Sequence, residues 1–399
     1  MVKRILGLSA SPPDPALGAG AERIRELYAH LPGEYEGNLL ALTGIRDGGR
    51  EERIGPLRVR RIPSPAQTLF YYLQRGRVLP FFRVAGRHRR SAGGAAPFLR
   101  EPVDLAQFDS LWLTPWADRL PPGTPVLYAS HNWERAWHEP LLRPFPFRER
   151  HARRLEDLER WALRRADRVT AVTEEDREAF TRFAGIPADR IDIIPNGYDP
   201  NRFHPASPEE REEARASLGL PAEGRVALFA GSLVPPNREA VEILLDRVVP
   251  AAPPDLLFLI AGSVGEPYRR RAGGRVRITG RIDRIEPCFR AADVGLNPIR
   301  SGSGSNIKVL QYLGAGLTVL STPFGMRGFP ELERFARVDR IERFAYLLEG
   351  TAPDPAAAPF VRKEYAWERA SARLARVHDA LLGRTVPPEE KDPPAGEKG

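Results

Sequence analysis

From Ser301 to Leu320 the chain reads SGSGSNIKVLQYLGAGLTVL. A loop of small residues opens into a helical pattern bearing Lys308 and Gln311, and a strand pattern follows. Gly304 lets the backbone approach a ligand closely. The first N–H groups of a helix have no partner inside it, and together with the helix dipole they favour an anion, most naturally a phosphate. The amides of Ser305, Asn306 and Ile307 are therefore candidate phosphate donors, with Lys308 adding a positive charge one turn in. A charged hydrogen bond of this type contributes about 1.5–3 kcal/mol. Gln311 shares the Lys308 face. Its amide offers one acceptor and one donor, matching two neighbouring ribose hydroxyls. The segment reads as a nucleotide-sugar diphosphate cradle, although on these residues alone an ordinary glycine turn before a buried helix is the commoner outcome.

Two α/β series are positioned to hold such a loop. Strands are predicted at Val2–Ala10, Asn38–Thr43, Leu57–Ile62, Ser110–Leu113, Val126–Ser130, Arg168–Val172 and Ile191–Ile194, with a helix over Phe147–Ala166. After a proline-rich link, Ser207-Pro208-Glu209-Glu210 combines an N-cap, a first-turn proline and a capping glutamate. Strands then follow at Val226–Ala230, Leu256–Ala261, Val276–Thr279, Val294–Asn297 and Thr318–Ser321. Short apolar strands alternating with helices predict parallel sheets with right-handed crossovers. The expected fold class is α/β, with two Rossmann-like doubly wound domains facing a central cleft, where such sheets bind ligands. The expected units are an acceptor-binding domain over 1–200, a donor-binding domain over 201–383 and a disordered tail over 384–399. A final helix is placed over Val361–Leu382, packing back toward the N-terminal domain.

The order of motifs resembles the retaining glycosyltransferases of the GT-B fold, in particular the glycosyl transferases group 1 family. GAGAER at Gly18–Arg23 follows the first strand, LYASHNWERAW puts His131 at a strand end, and RVTAVTEE follows. IIPNGYDPNRF is similar to the interdomain signature of that family, and LFAGSLVPPNREAV and RITGRI lead to the loop at Ser301. The resemblance implies that His131 contacts the transferred sugar and that Arg238 and Lys308 bind the donor diphosphate. It also implies that Arg281 and Ile282 receive the base, and that Gly18 and Gly20 form a loop near the donor phosphates and acceptor. Lys308 is implied in catalysis as well as in binding. Where the family carries Glu, seven residues, Glu, this chain has Ser303 and Gln311. Glu134 is read as orienting His131 or as an ion-pair partner of a nearby arginine. The implied reaction is hexose transfer from a nucleoside diphosphate sugar to an acceptor hydroxyl with retention. A weakly active or inactive relative that binds nucleotide sugar or a partner, and a sugar epimerase on the same fold, are the alternatives.

Composition narrows the classes. The single cysteine, Cys288, excludes a disulfide framework and a cysteine-based zinc site. No Asp-x-Asp pair or zinc-spaced histidines occur, so metal-independent chemistry is expected, with no cofactor beyond the nucleotide-sugar co-substrate. No apolar run spans a bilayer, and the expectation is a cytoplasmic protein, with a peripheral place on the inner membrane face open to it. From Arg53 to Arg100 there are 11 arginines and no acidic residue. Anionic membrane surfaces and glycan or lipid-linked acceptors are the partners expected there. A solvated basic face is the plain alternative, and nucleic acid is the least expected partner.

Overall fold

The computed structural model describes residues 2–15, 18–44, 51–65, 69, 92–350 and 352–383. Eight strands build the first sheet: β1 Lys3–Ser9, β2 Tyr35–Thr43, β3 Glu51–Ile54, β4 Leu57–Pro63, β5 Leu105–Phe108, β6 Val126–Ala129, β7 Arg168–Ala171 and β8 Ile191–Ile193. Their order is β3-β4-β2-β1-β5-β6-β7-β8, parallel throughout except for the antiparallel β3–β4 pair. The second sheet holds β9 Arg225–Ala230, β10 Leu256–Ala261, β11 Val276–Gly280, β12 Val294–Asn297, β13 Thr318–Ser321 and β14 Ala336–Val338. Its order is β11-β10-β9-β12-β13-β14, all parallel. These strands are apolar on both faces because helices cover both, and Val226, Leu228 and Phe229 are fully enclosed. Winding reverses between β1 and β5 and again between β9 and β12, and loops diverging at such points leave a crevice.

The expected helix over Phe147–Ala166 is present at Arg148–Arg165. The Pro208–Ser217 helix carries the anticipated capping box: the Glu210 amide donates to Ser207 Oγ (3.2 Å) and the Ser207 amide to the Glu210 carboxylate (3.0 Å).

Two expectations are corrected. No strand forms at Ser110–Leu113. The strand is β5, Leu105–Phe108, and Leu111–Arg119 is a 3₁₀ run. Gln107 and Asp109 interrupt the apolar run there, and both are buried in a hydrogen-bonded network rather than exposed. The final helix is two helices, Ala357–Tyr365 and Trp367–Leu381, with Ala366 extended between them. The break lets the Tyr198 amide donate to the Tyr365 carbonyl (3.0 Å) and the Trp367 amide to the Tyr198 carbonyl (3.3 Å). Those bonds fasten the link between the sheets to the chain end. The short strands β3 and β14 carry no sequence pattern strong enough to announce them.

The Trp367–Leu381 helix crosses back to the first domain. Trp367, Ala370 and Leu374 pack with Ile24 and Leu27, and Ser371 Oγ donates to the Leu27 carbonyl (2.8 Å). Most of segment 66–91, with its interleaved aromatics and arginines, and the tail 384–399 lie outside the described residues.

Candidate active site

The donor-side loop leaves β12 at the switch point of the second sheet. The Ile307–Gly314 helix begins with Asn306 at its N-cap, and no side chain caps it. Among the described residues, the amides of Ser305, Asn306 and Ile307 donate to no protein group. Gly304 has φ +70, and a Cβ there would lie 3.2 Å from both the His131 carbonyl and Asn132 Oδ1. Only glycine lets the loop lie that close to the first domain.

Lys308 is half-buried. Its ammonium donates to Asn237 Oδ1 (2.9 Å) and sits 4.2 Å from the centre of the enclosed Phe229 ring. Among the described residues no carboxylate pairs with it, and burial pushes it down to about 7. A desolvated ammonium held by an amide and a ring is a cation set to take up an anion. Gln311 lies on the next turn, half-buried, and among the described residues its side-chain amide has no protein partner.

From the first domain, His131 follows β6. Both ring nitrogens are buried, and among the described residues neither makes a well-formed hydrogen bond, although the Asp109 backbone lies close enough to act on the ring. Burial, reinforced by the Arg23 guanidinium, pushes the imidazole down to about 3, so it is neutral near pH 7. Glu134 does not orient it: the Glu134 carboxylate lies 3.1 Å from His138 Nδ1, one turn along its own helix. The Glu134–Leu142 helix is capped instead by buried Glu159, which accepts from the Glu134 and Arg135 amides (2.8 and 3.0 Å). Burial, with Glu134 beside it, pushes the Glu159 carboxyl up to about 8.

Several bonds join the two sides. The Trp133 amide donates to Ser303 Oγ (2.7 Å), and Asn196 Nδ2 donates to Ser305 Oγ (3.1 Å). Arg327 pairs with buried Asp176, and Arg202 bridges Glu286 (2.7 Å) and Glu22 (3.5 Å). The structure thus sets Gly304 against the His131 backbone and ties Ser305 to Asn196, with Asn306, Ile307 and Lys308 following on the same loop and helix. Arg238 is the residue after Asn237 and shares this corner; its side chain is exposed, 3.9 Å from Glu242. Gly18 caps the Ala19–Ala29 helix at φ +112, and Gly20 stands in open space in its first turn. Arg281 and Ile282 follow β11 at the far edge of the second sheet, and the Arg281 amide is engaged by Glu266 (2.7 Å). Asn237, Phe229, Arg23 and Asn196 were not expected in the site. All four lie inside the motifs LFAGSLVPPNREAV, GAGAER and IIPNGYDPNRF, so position in a motif was the one available signal.

Two doubly wound, mostly parallel sheets joined through the donor loop have the GT-B architecture. Residues 25–202 match the model of Glycosyltransferase Family 4 and residues 224–345 that of Glycosyl transferases group 1. A D-inositol 3-phosphate glycosyltransferase of Streptomyces scabiei is 26% identical over 251 residues, 55% of this chain and 55% of that protein. The chain therefore spans about half the length of the curated relatives it matches. Sucrose-phosphate synthase from Thermosynechococcus elongatus superposes with a TM-score of 0.72 at 17% identity, over 96% of this chain and 99% of that one. HepE of Anabaena, solved in complex with UDP, gives 0.64 at 17% identity over 94% and 100%. At this identity the two structures establish the fold.

Proposed function

We propose that the protein is a glycosyltransferase that moves a hexose-type sugar from a nucleoside diphosphate sugar to an acceptor hydroxyl, with retention and without a metal ion. One observation carries the reading: among the described residues, half-buried Lys308 has no carboxylate partner and lies at a helix mouth whose first amides are unused. As the bond from the anomeric carbon to the phosphate oxygen breaks, charge builds on the diphosphate. The amides of Ser305, Asn306 and Ile307 and the Lys308 ammonium are preorganised for that charge. Arg238 supplies a second cation at the same corner. His131, held neutral, hydrogen-bonds a hydroxyl of the transferring sugar. The acceptor oxygen bonds to the anomeric carbon on the face the phosphate leaves, and the departing phosphate takes its proton. Gln311 holds the ribose, Arg281 and Ile282 border the base, and Gly18 and Gly20 leave space for the acceptor.

The donor class is supported by HepE, a protein of the same fold solved with UDP. A lipid-linked or polysaccharide precursor of the cell envelope is the proposed acceptor, reached from the inner membrane face through the arginine-rich segment 53–100. Among the described residues no helix is long and apolar enough to cross a membrane. A second reading has its own observation. Ser303, at the first acidic position of the family motif, is occupied by the Trp133 amide, and Gln311 stands at the second. That departure favours a protein that binds nucleotide sugar and turns it over weakly. Purified protein incubated with UDP-, ADP- and GDP-sugars and a panel of acceptors separates the two. Release of free nucleoside diphosphate with glycosylated product supports transfer, and binding without turnover supports the second reading.

A further inference from the structure

Arg23 is a buried cation, 3% exposed. Among the described residues it forms no ion pair; its Nη1 donates to the Pro195 carbonyl (2.9 Å) and Asn196 Oδ1 (3.0 Å), and Nη2 to the Ile194 carbonyl (2.6 Å). Nε is buried without a partner. Burying a guanidinium on neutral acceptors is costly, so a role beyond holding the chain is worth seeking. A guanidinium only donates, so the Asn196 atom facing it must be the oxygen, and the amide nitrogen must face Ser305. Ser305 Oγ consequently accepts, at 3.1 Å. Its own proton is left free, and among the described residues no protein group takes it. Ser305 is the residue whose amide opens the proposed phosphate cradle.

We propose that Arg23 is a positioning residue for the donor diphosphate: by locking the Asn196 amide it obliges the Ser305 hydroxyl to accept from Asn196 and to donate to a diphosphate oxygen. This rests on the donor-site reading above. The relay starts in the Ala19–Ala29 helix, which also bears Gly18 and Gly20, passes through the interdomain segment and ends on the donor loop. The acceptor side of the cleft thereby sets the polarity of a group on the donor side, and only while the domains are together.

The test is a double-mutant cycle read by calorimetric titration of UDP, ADP and GDP. Ser305→Ala and Asn196→Ala are each expected to weaken diphosphate binding about tenfold, the size of one lost hydrogen bond to a charged group. The double variant is expected to bind no more weakly than the weaker single one, because the Asn196 amide acts through that hydroxyl. Arg23→Lys keeps the charge but cannot reach three acceptors at once. It is expected to lose several-fold in the wild-type background and nothing in the Ser305→Ala background, which keeps the test in force if Asn196→Ala fails to fold. A purely structural role would weaken binding equally in both backgrounds. Additive losses alongside normal wild-type binding overturn the relay and leave the donor site intact. A wild type that binds none of the three nucleotides overturns the donor reading and the relay with it.

Discussion

At the scale of single residues the candidate site is marked by polar groups with few protein partners. Lys308 has an amide and a ring for neighbours where a surface lysine would have water. Replacing it with Ala removes a desolvated charge, so thermal unfolding of the free protein is expected to shift little. The specificity constant for the donor should fall by about two orders of magnitude, as expected when a preorganised charge is lost. Equal kinetics in variant and wild type would end the phosphate role. The same lysine sets a pH signature. Its folded value, about 7, lies below its ordinary 10.5, so the free protein loses this proton between pH 7 and pH 10.5 while the unfolded chain keeps it. Bound diphosphate favours the protonated form. Affinity for a nucleoside diphosphate should therefore decline from pH 7 to pH 9, and Lys308→Arg should flatten the decline in calorimetric titrations. The SGSGSN loop and its lysine were legible in the sequence because glycine and a helix start leave a local mark. Asn237 and Phe229 were not, because they reach Lys308 from another strand and helix.

Secondary elements deliver these groups, and they show where a sequence can be read. The capping box at Ser207 and the runs of β9, β10, β12 and β13 are local patterns and were read correctly. Strand β5 was missed because Gln107 interrupts its short apolar run and Asp109 follows directly. Gln107 donates to Asp109 (2.7 Å), Tyr28 donates to the same carboxyl (2.6 Å), and Gln107 Oε1 lies 2.8 Å from His378 Nε2 in the last helix. Such residues are buried only because distant elements satisfy them. Burial pushes the Asp109 carboxyl up to about 7 and the His378 imidazole down to about 3. The signs differ. His378 is lower in the folded state than its ordinary 6.5, so the stability it contributes is present above that value and is lost as pH falls toward 3. His378→Gln should give a shallower decline of unfolding free energy between pH 6.5 and pH 4, measured by urea denaturation; an unchanged slope would refute the assignment. In the donor loop, Gly304→Ala places a methyl group 3.2 Å from the His131 carbonyl on a backbone that disfavours side chains. Turnover should fall at least tenfold with a smaller effect on folding, which parallel kinetics and denaturation would check.

At the scale of the whole molecule, the proposed transfer requires two domains held face to face. Doubly wound domains were predictable from alternating strands and helices. The contacts that set the closure were not, because Asp176 and Arg327 lie 151 positions apart in the chain. Asp176 is buried, so removing Arg327 leaves its carboxylate unpaired, and the domains can relieve this by opening to water. Arg327→Ala should raise the radius of gyration measured by small-angle scattering and weaken donor turnover together; a compact variant with full activity would show that closure does not rely on the pair. The proposed transfer depends on where a nucleoside diphosphate sits. The direct measurement is a crystal structure of the protein soaked or grown with UDP, ADP or GDP. The expected result places the terminal phosphate within hydrogen-bond reach of the Ser305, Asn306 and Ile307 amides and of the Lys308 ammonium. A nucleotide bound elsewhere, with that helix mouth covered by protein, would contradict it.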